Sequence, residues 1–160
     1  MNASSFEQLE GRQGTYALLL RIPKACRLRV GSLGLLRFAS GLWVYVGSAL
    51  GRGSTSLGHR LCRHFSRSGR RHWHIDYLLA SAALPINAVW LESPARLECA
   101  LAEALRERPD FQPGPAGFGA TDCRGHCQTH LLRYVGPGGI RGVKFRVQLA
   151  LSRLELEPED

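Results

Sequence analysis

Between Gly11 and Ile75 the chain carries no aspartate or glutamate, yet twelve lysines and arginines fall in the same span. Such a stretch cannot neutralise itself, so one half of the molecule should present a positive field, which attracts polyanions and speeds their encounter. Lysine is scarce as well: nineteen of the twenty-one basic residues are arginine, whose fork geometry suits phosphate oxygens. The alternative is a solvated basic surface produced by arginine-biased usage. Apart from Glu7 and Glu10, the acids gather from Asp76 onward and end in Glu155, Glu157, Glu159 and Asp160. No run approaches the ~20 apolar residues of a membrane span. The opening Met-Asn-Ala-Ser-Ser-Phe-Glu-Gln lacks the basic start and apolar core of a secretory leader. Cysteines number five, and Cys26, Cys62 and Cys99 stand isolated, which argues against a disulfide framework and for a reducing, cytoplasmic setting. Repeats and low-complexity linkers are absent. The 160 residues suit one domain.

What is present reads as a mixed chain. Residues 1–12 are polar and read as a loose N-terminal segment, 13–152 as the domain, and 153–160 as an acidic tail. Tyr16 to Ile22 is an apolar run with the character of a buried strand, ended by Pro23. Leu28–Val30 and Leu35–Phe38 are short strand candidates around Gly31 and Gly34. Leu42–Gly47, aromatic and β-branched, is another strand. Ser56 can cap a helix whose core stripe is Leu57, Leu61 and Phe65; Arg60 and His64, also four apart, share a neighbouring stripe. A short helix over Ile75–Ala82 and a strand over Ile86–Leu91 follow. Ser93-Pro94 predicts the start of a helix running to about Arg108, with Glu98 early in it. Pro109–Cys127 is loop-like. His130–Val135 reads as a strand. The alternation of Val143, Phe145, Val147, Leu149 and Leu151 predicts a last strand. The sum is an α/β fold with a small, mostly antiparallel sheet flanked by helices, an inserted hairpin and extra C-terminal strands.

Certain residues carry chemistry. Gly14-Thr15-Tyr16 opens one strand and Tyr45-Val46-Gly47-Ser48-Ala49 closes another, with Arg60, His64 and Glu98 downstream. Phenols orient or deprotonate water, a guanidinium neutralises phosphate charge, and a carboxylate holds Mg²⁺. Together they suit the cutting of a phosphodiester.

These motifs, with His72-Trp73-His74-Ile75-Asp76-Tyr77 and Gly117-Phe118-Gly119-x-x-Asp122-Cys123, resemble the GIY-YIG nuclease superfamily. The match is to a branch of small stand-alone proteins with Gly-Thr-Tyr in place of Gly-Ile-Tyr, and it runs from about residue 14 to about residue 134. The resemblance implies an endonuclease that hydrolyses DNA with one Mg²⁺ or Mn²⁺ on Glu98, selecting structure rather than sequence; RNA remains a variant. It implies Tyr16 as the water-activating phenol, Tyr45 as a supporting or alternative base, and Arg60 as the group that neutralises the scissile phosphate. His64 assists, and Arg63, Arg67, Arg71 and His72 contact substrate, with His74 competing for the role of His72. Each has a plainer reading: a rim tyrosine in a sheet, a surface arginine, histidines that flank core Trp73, Ile75 and Tyr77. Glu103 and Glu107 read as solvated charges.

Two departures stand out. Twenty-nine positions separate the tyrosines, more than in shorter relatives, which fits an inserted hairpin near residues 24–40. The usual family asparagine is missing, and Asp122 is the candidate replacement. Close by, Cys123, His126, Cys127 and His130 have spacings that resemble half a zinc knuckle. Four ligands within eight residues do not easily surround one ion without a distant partner, so the segment reads first as a loop packed beside the catalytic face. The rival to the enzyme is a nucleic-acid-binding module without turnover on the same fold.

Overall fold

Strand β1 (Gly14–Ile22) sits at the centre of everything that follows, because both of its faces are buried. The computed structural model describes residues 1–67 and 70–157. Tyr16, Leu18, Leu20 and Ile22 point into one core, and Ala17 and Leu19 point into a second on the opposite face. The strand's apolar run therefore has no polar alternation to show. It pairs antiparallel with β4 (Gly41–Ala49) on one side and β5 (Leu84–Glu92) on the other, with a bulge between Leu19 and Leu20 opposite Pro85. β7 (Leu131–Tyr134) extends the sheet beyond β4, and β6 (Phe111–Pro113) closes it, giving the order β5-β1-β4-β7-β6.

The inserted segment forms its own two-stranded sheet, β2 (Cys26–Arg29) with β3 (Leu35–Phe38). Val30 and Phe38 place this hairpin over the first core, the face that holds Tyr16 and Tyr45. Helix α1 (Leu57–Ser66) covers the same face with Leu57 and Leu61, and Ser56 caps it by accepting from the His59 N–H. Helix α2 (His74–Ser81) adds Ile75, Leu78 and Leu79. Helices α3 (Glu98–Arg106) and α4 (Gly139–Leu156) pack on the second core through Leu101, Leu105, Val143 and Val147. The fold is mixed α/β, with a mostly antiparallel sheet between two helical layers. Among the described residues no helix is long and apolar enough to cross a membrane.

Beyond the short β6, which lies inside the span Pro109–Cys127 expected to be loop-like, three local expectations differ from the structure. Val143–Leu151 lies within α4 rather than forming a strand: Val143, Val147, Ala150 and Leu151 are buried at helical spacing, while Phe145 is 62% exposed. The sequence there satisfies both periods, and packing on α3 selects the helical one. The helix expected from Ser93 begins at Glu98, because the Ser93 hydroxyl accepts from the Ala95 N–H in a turn instead of capping. Ala3–Leu9, expected to be loose, is a 3-10 helix that buries Phe6 and Leu9, with Phe6 against Phe65 and Trp90. Of the acidic tail, residues 153–156 continue α4 and residues 158–160 lie outside the described residues.

Candidate active site

Antiparallel register sets the phenols side by side. Tyr16 lies opposite Gly47, and Leu18 opposite Tyr45. A Cβ at position 47 would sit 2.6 Å from the Tyr16 hydroxyl, so glycine there gives the phenol its resting place across the strand. The two rings approach to 6.4 Å between centroids. From α1, His64 reaches down between them, 5.6 Å from the Tyr16 ring and 6.2 Å from the Tyr45 ring. Its Nε2 is hydrogen-bonded to the Tyr16 hydroxyl at 2.8 Å, while its buried Nδ1 has no hydrogen-bond partner among the described residues.

Burial dominates the electrostatics. It pushes the Tyr16 phenol up to about 12, against the charge and hydrogen bonding of Arg60, which pull down; Asp76 and Glu98 add to the rise. Burial likewise raises Tyr45, helped by neighbouring Tyr16 and opposed by Arg60. His64 is lowered to about 4 by burial, with Asp76 opposing and Arg60 and Arg63 reinforcing. At neutral pH the trio is therefore uncharged. With the phenol raised and the imidazole lowered, full transfer between them is strongly uphill, so Nε2 can accept the phenolic proton only as the Tyr16 oxygen takes up another; the Arg60 charge opposes the burial without outweighing it.

Arg60 is held by the Ser48 carbonyl and stacks on Trp73 with its carbon 4.6 Å from the ring centroid. Arg63, expected to contact substrate, stacks on the same indole and pairs with Asp76 at 2.9 Å. Asp76 also accepts the N–H groups of His72 and Trp73, so it caps α2 and fixes Arg63 at once. Sequence reading overlooked this carboxylate. The signal was its place three residues after Trp73, at the start of a helix. Arg67 closes α1 in a left-handed conformation and donates to the Leu79 carbonyl. Arg71 lies over the Tyr77 ring. These arginines are thus anchored by α2, while exposed His72 only flanks Trp73. His74, not His72, turns toward the tyrosines: its Nδ1 accepts from the Gly119 N–H, and its ring meets Phe118, which abuts Tyr45.

Glu98 is the first residue of α3 and only 8% exposed. One oxygen pairs with Arg96 at 3.3 Å, and the other, buried, has no hydrogen-bond partner among the described residues. Its charge acts on both Tyr16 and His130, so it stands at the same end of the sheet. An orphaned carboxylate oxygen beside a half-satisfied one fits a hard divalent cation that keeps most of its waters. Asp122, exposed, acts by charge on Tyr45, His74 and His130, which puts it at the edge of this group. Glu103 pairs with Arg106 on the outer face of α3, as a solvated charge does.

Neither a search of curated proteins nor one of solved structures returned a match. A family model does match, over residues 15–141, a span that begins beside Tyr16 and takes in every residue of the group above. The chain therefore belongs to the family described as Domain of unknown function DUF123.

Proposed function

We propose that this protein is a GIY-YIG-type endonuclease that hydrolyses phosphodiester bonds in DNA with a divalent metal, Mg²⁺ or Mn²⁺. The observation that carries the proposal is the hydrogen-bonded pair of Tyr16 and His64 next to Arg60, with Glu98, whose charge reaches Tyr16, offering an orphaned oxygen. A sheet tyrosine has no need of a buried neutral histidine as its partner. Tyr16 with His64 supplies a route for a proton, and Arg60 a charge for a phosphate oxygen. Glu98 would hold the cation, which supplies charge neutralisation at the phosphate.

As water attacks the phosphate, its proton passes to the Tyr16 oxygen while the phenolic proton moves to His64 Nε2, and Arg60 offsets the charge that builds on the phosphate oxygen. Trp73 and the Ser48 carbonyl keep Arg60 from swinging away between turnovers. The Asp76–Arg63 pair holds α2 against α1, so His74 and Phe118 stay packed behind Tyr45.

A second reading, binding without turnover, is favoured by one observation: Tyr16 is 1% exposed, little access for an attacking water. Cleavage of labelled single-stranded, duplex and branched DNA and RNA with Mg²⁺ separates the two. The enzyme cuts at least one DNA form, and Glu98→Ala abolishes cutting while retaining binding. DNA binding without cleavage of any form by either metal would establish the module instead.

A further inference from the structure

The catalytic group leaves one cluster unused. Cys99, on the first turn of α3, meets Cys123, Cys127 and His130 from the loop leading to β7, and one donor atom from each lies within 4.8 Å of all the others. Cys99 Sγ stands 3.0 Å from Cys123 Sγ and 3.9 Å from His130 Nε2. A disulfide needs about 2.05 Å, so the sulfurs are not bonded, and all five cysteines of the chain are free thiols. A tetrahedron with Zn–S near 2.3 Å has edges of about 3.8 Å, so the donors need to shift by no more than about 1 Å to surround an ion.

The local sequence is shaped for that convergence. Gly125 faces Cys99: a Cβ there would lie 2.9 Å from the Cys99 sulfur and 3.2 Å from its Cβ. Only a residue without a side chain lets the loop close over Cys99. His126 takes a left-handed backbone, φ 55°, that turns the chain between Cys123 and Cys127. That turn leaves His126 exposed and outside the donor set. His130 is buried and held closely by Gly119, where a Cβ would lie 3.2 Å from the His130 Cβ, so the imidazole is packed in place before any ligand binds. The distant ligand that the Cys123–His130 segment needs is thus Cys99, which in sequence stands alone.

We infer that Cys99, Cys123, Cys127 and His130 bind one structural Zn²⁺. Three thiolates and one imidazole select zinc over the hard cations suited to Glu98, and four protein ligands leave no open position for substrate. The ion ties the first turn of α3 to the loop that carries Phe118 and Gly119. Glu98 adjoins one ligand in sequence, and Phe118 packs on Tyr45. Zinc therefore locks the carboxylate and the tyrosine face into a single unit. An open cleft bordered by Cys99, Glu103, Gly125, His126 and Cys127 gives the metal a way in.

Elemental analysis of the full chain, purified under reducing conditions, should find one zinc per molecule. After exchange, Co²⁺ should give the spectrum of a tetrahedral site with thiolate-to-metal charge transfer. Chelation should lower Tm by at least about 5 °C. Cys99→Ser and Cys127→Ser should each lose the stoichiometric metal, and His126→Ala should keep it. If either cysteine variant does not fold, the wild-type cobalt spectrum decides alone. Substoichiometric zinc, a cobalt spectrum without charge transfer, a Cys99–Cys123 disulfide in the reduced preparation, or metal that survives Cys99→Ser but not His126→Ala each overturns the site. None of these readouts depends on nuclease activity.

Discussion

The pairing of Tyr16 with His64 makes two predictions at the scale of single residues. Tyr16→Phe keeps the ring and removes the one hydrogen-bond partner that a buried imidazole has among the described residues, so it should cost about 1–3 kcal/mol in denaturant unfolding. If Tyr16 takes part in chemistry, the same variant should also lose cleavage under single-turnover conditions. Wild-type cleavage in Tyr16→Phe would move the base to Tyr45 or His64. The second prediction concerns pH. The folded value of His64 lies below its ordinary 6.5, at about 4, so the unfolded chain binds this proton more readily in between. The contribution is therefore complete above pH ~6.5 and is lost as pH falls through about 4, on the order of 3 kcal/mol in all. His64→Gln keeps an acceptor for Tyr16 and cannot titrate. Its unfolding free energy should fall less steeply than wild type between pH 6.5 and 4, and an identical slope would place the sensitivity elsewhere.

At the scale of elements, the strand pair β1–β4 exists to bring a phenol over a glycine. Gly47→Ala would set a methyl 2.6 Å from the Tyr16 hydroxyl and force the ring off His64. The expected loss is about 1–3 kcal/mol together with impaired cleavage, read by denaturant titration and a single-turnover assay. Phe6, buried between Phe65 and Trp90, should cost about 3–5 kcal/mol as Phe6→Ala, which tests whether the first nine residues belong to the folded unit. Much of this frame is legible in the sequence, because strands β1 and β4, the hairpin and α1 each carry one unambiguous period or cap. The misses have physical causes. Val143–Leu151 fits both a strand and a helix, and only contact with α3 decides between them. Ser93-Pro94 offers a cap that the chain spends on a turn. Phe6 and Leu9 are too few to reveal a helix without the groove that receives them. In the site, Tyr16, His64 and Glu98 could be picked by motif. The choice of His74 over His72, the anchoring role of Asp76, and Cys99 as a partner of a loop twenty-four residues away are set by tertiary packing.

At the scale of the whole molecule, the acid-free half makes its own prediction. Of the twelve basic residues between Gly11 and Ile75, only Arg12 and Arg63 form ion pairs among the described residues. The hairpin sharpens the point. Arg27 and Arg37 are exposed and directly opposite one another across β2 and β3, with Arg29 on the same outward side. Like charges facing across a strand pair destabilise it by up to about 1 kcal/mol. Among the described residues no carboxylate pairs with these arginines, whereas a phosphate backbone would offset the repulsion. DNA affinity should therefore fall steeply with salt, as counterion release requires. The double substitution Arg27→Gln and Arg37→Gln should weaken binding of all sequences alike and reduce the slope of log K against log salt by about 2, near 0.9 for each lost phosphate contact. It should leave thermal stability unchanged or slightly raised, since it relieves the repulsion. A slope that stays at the wild-type value would move the nucleic acid away from the hairpin, to the arginines anchored around Trp73.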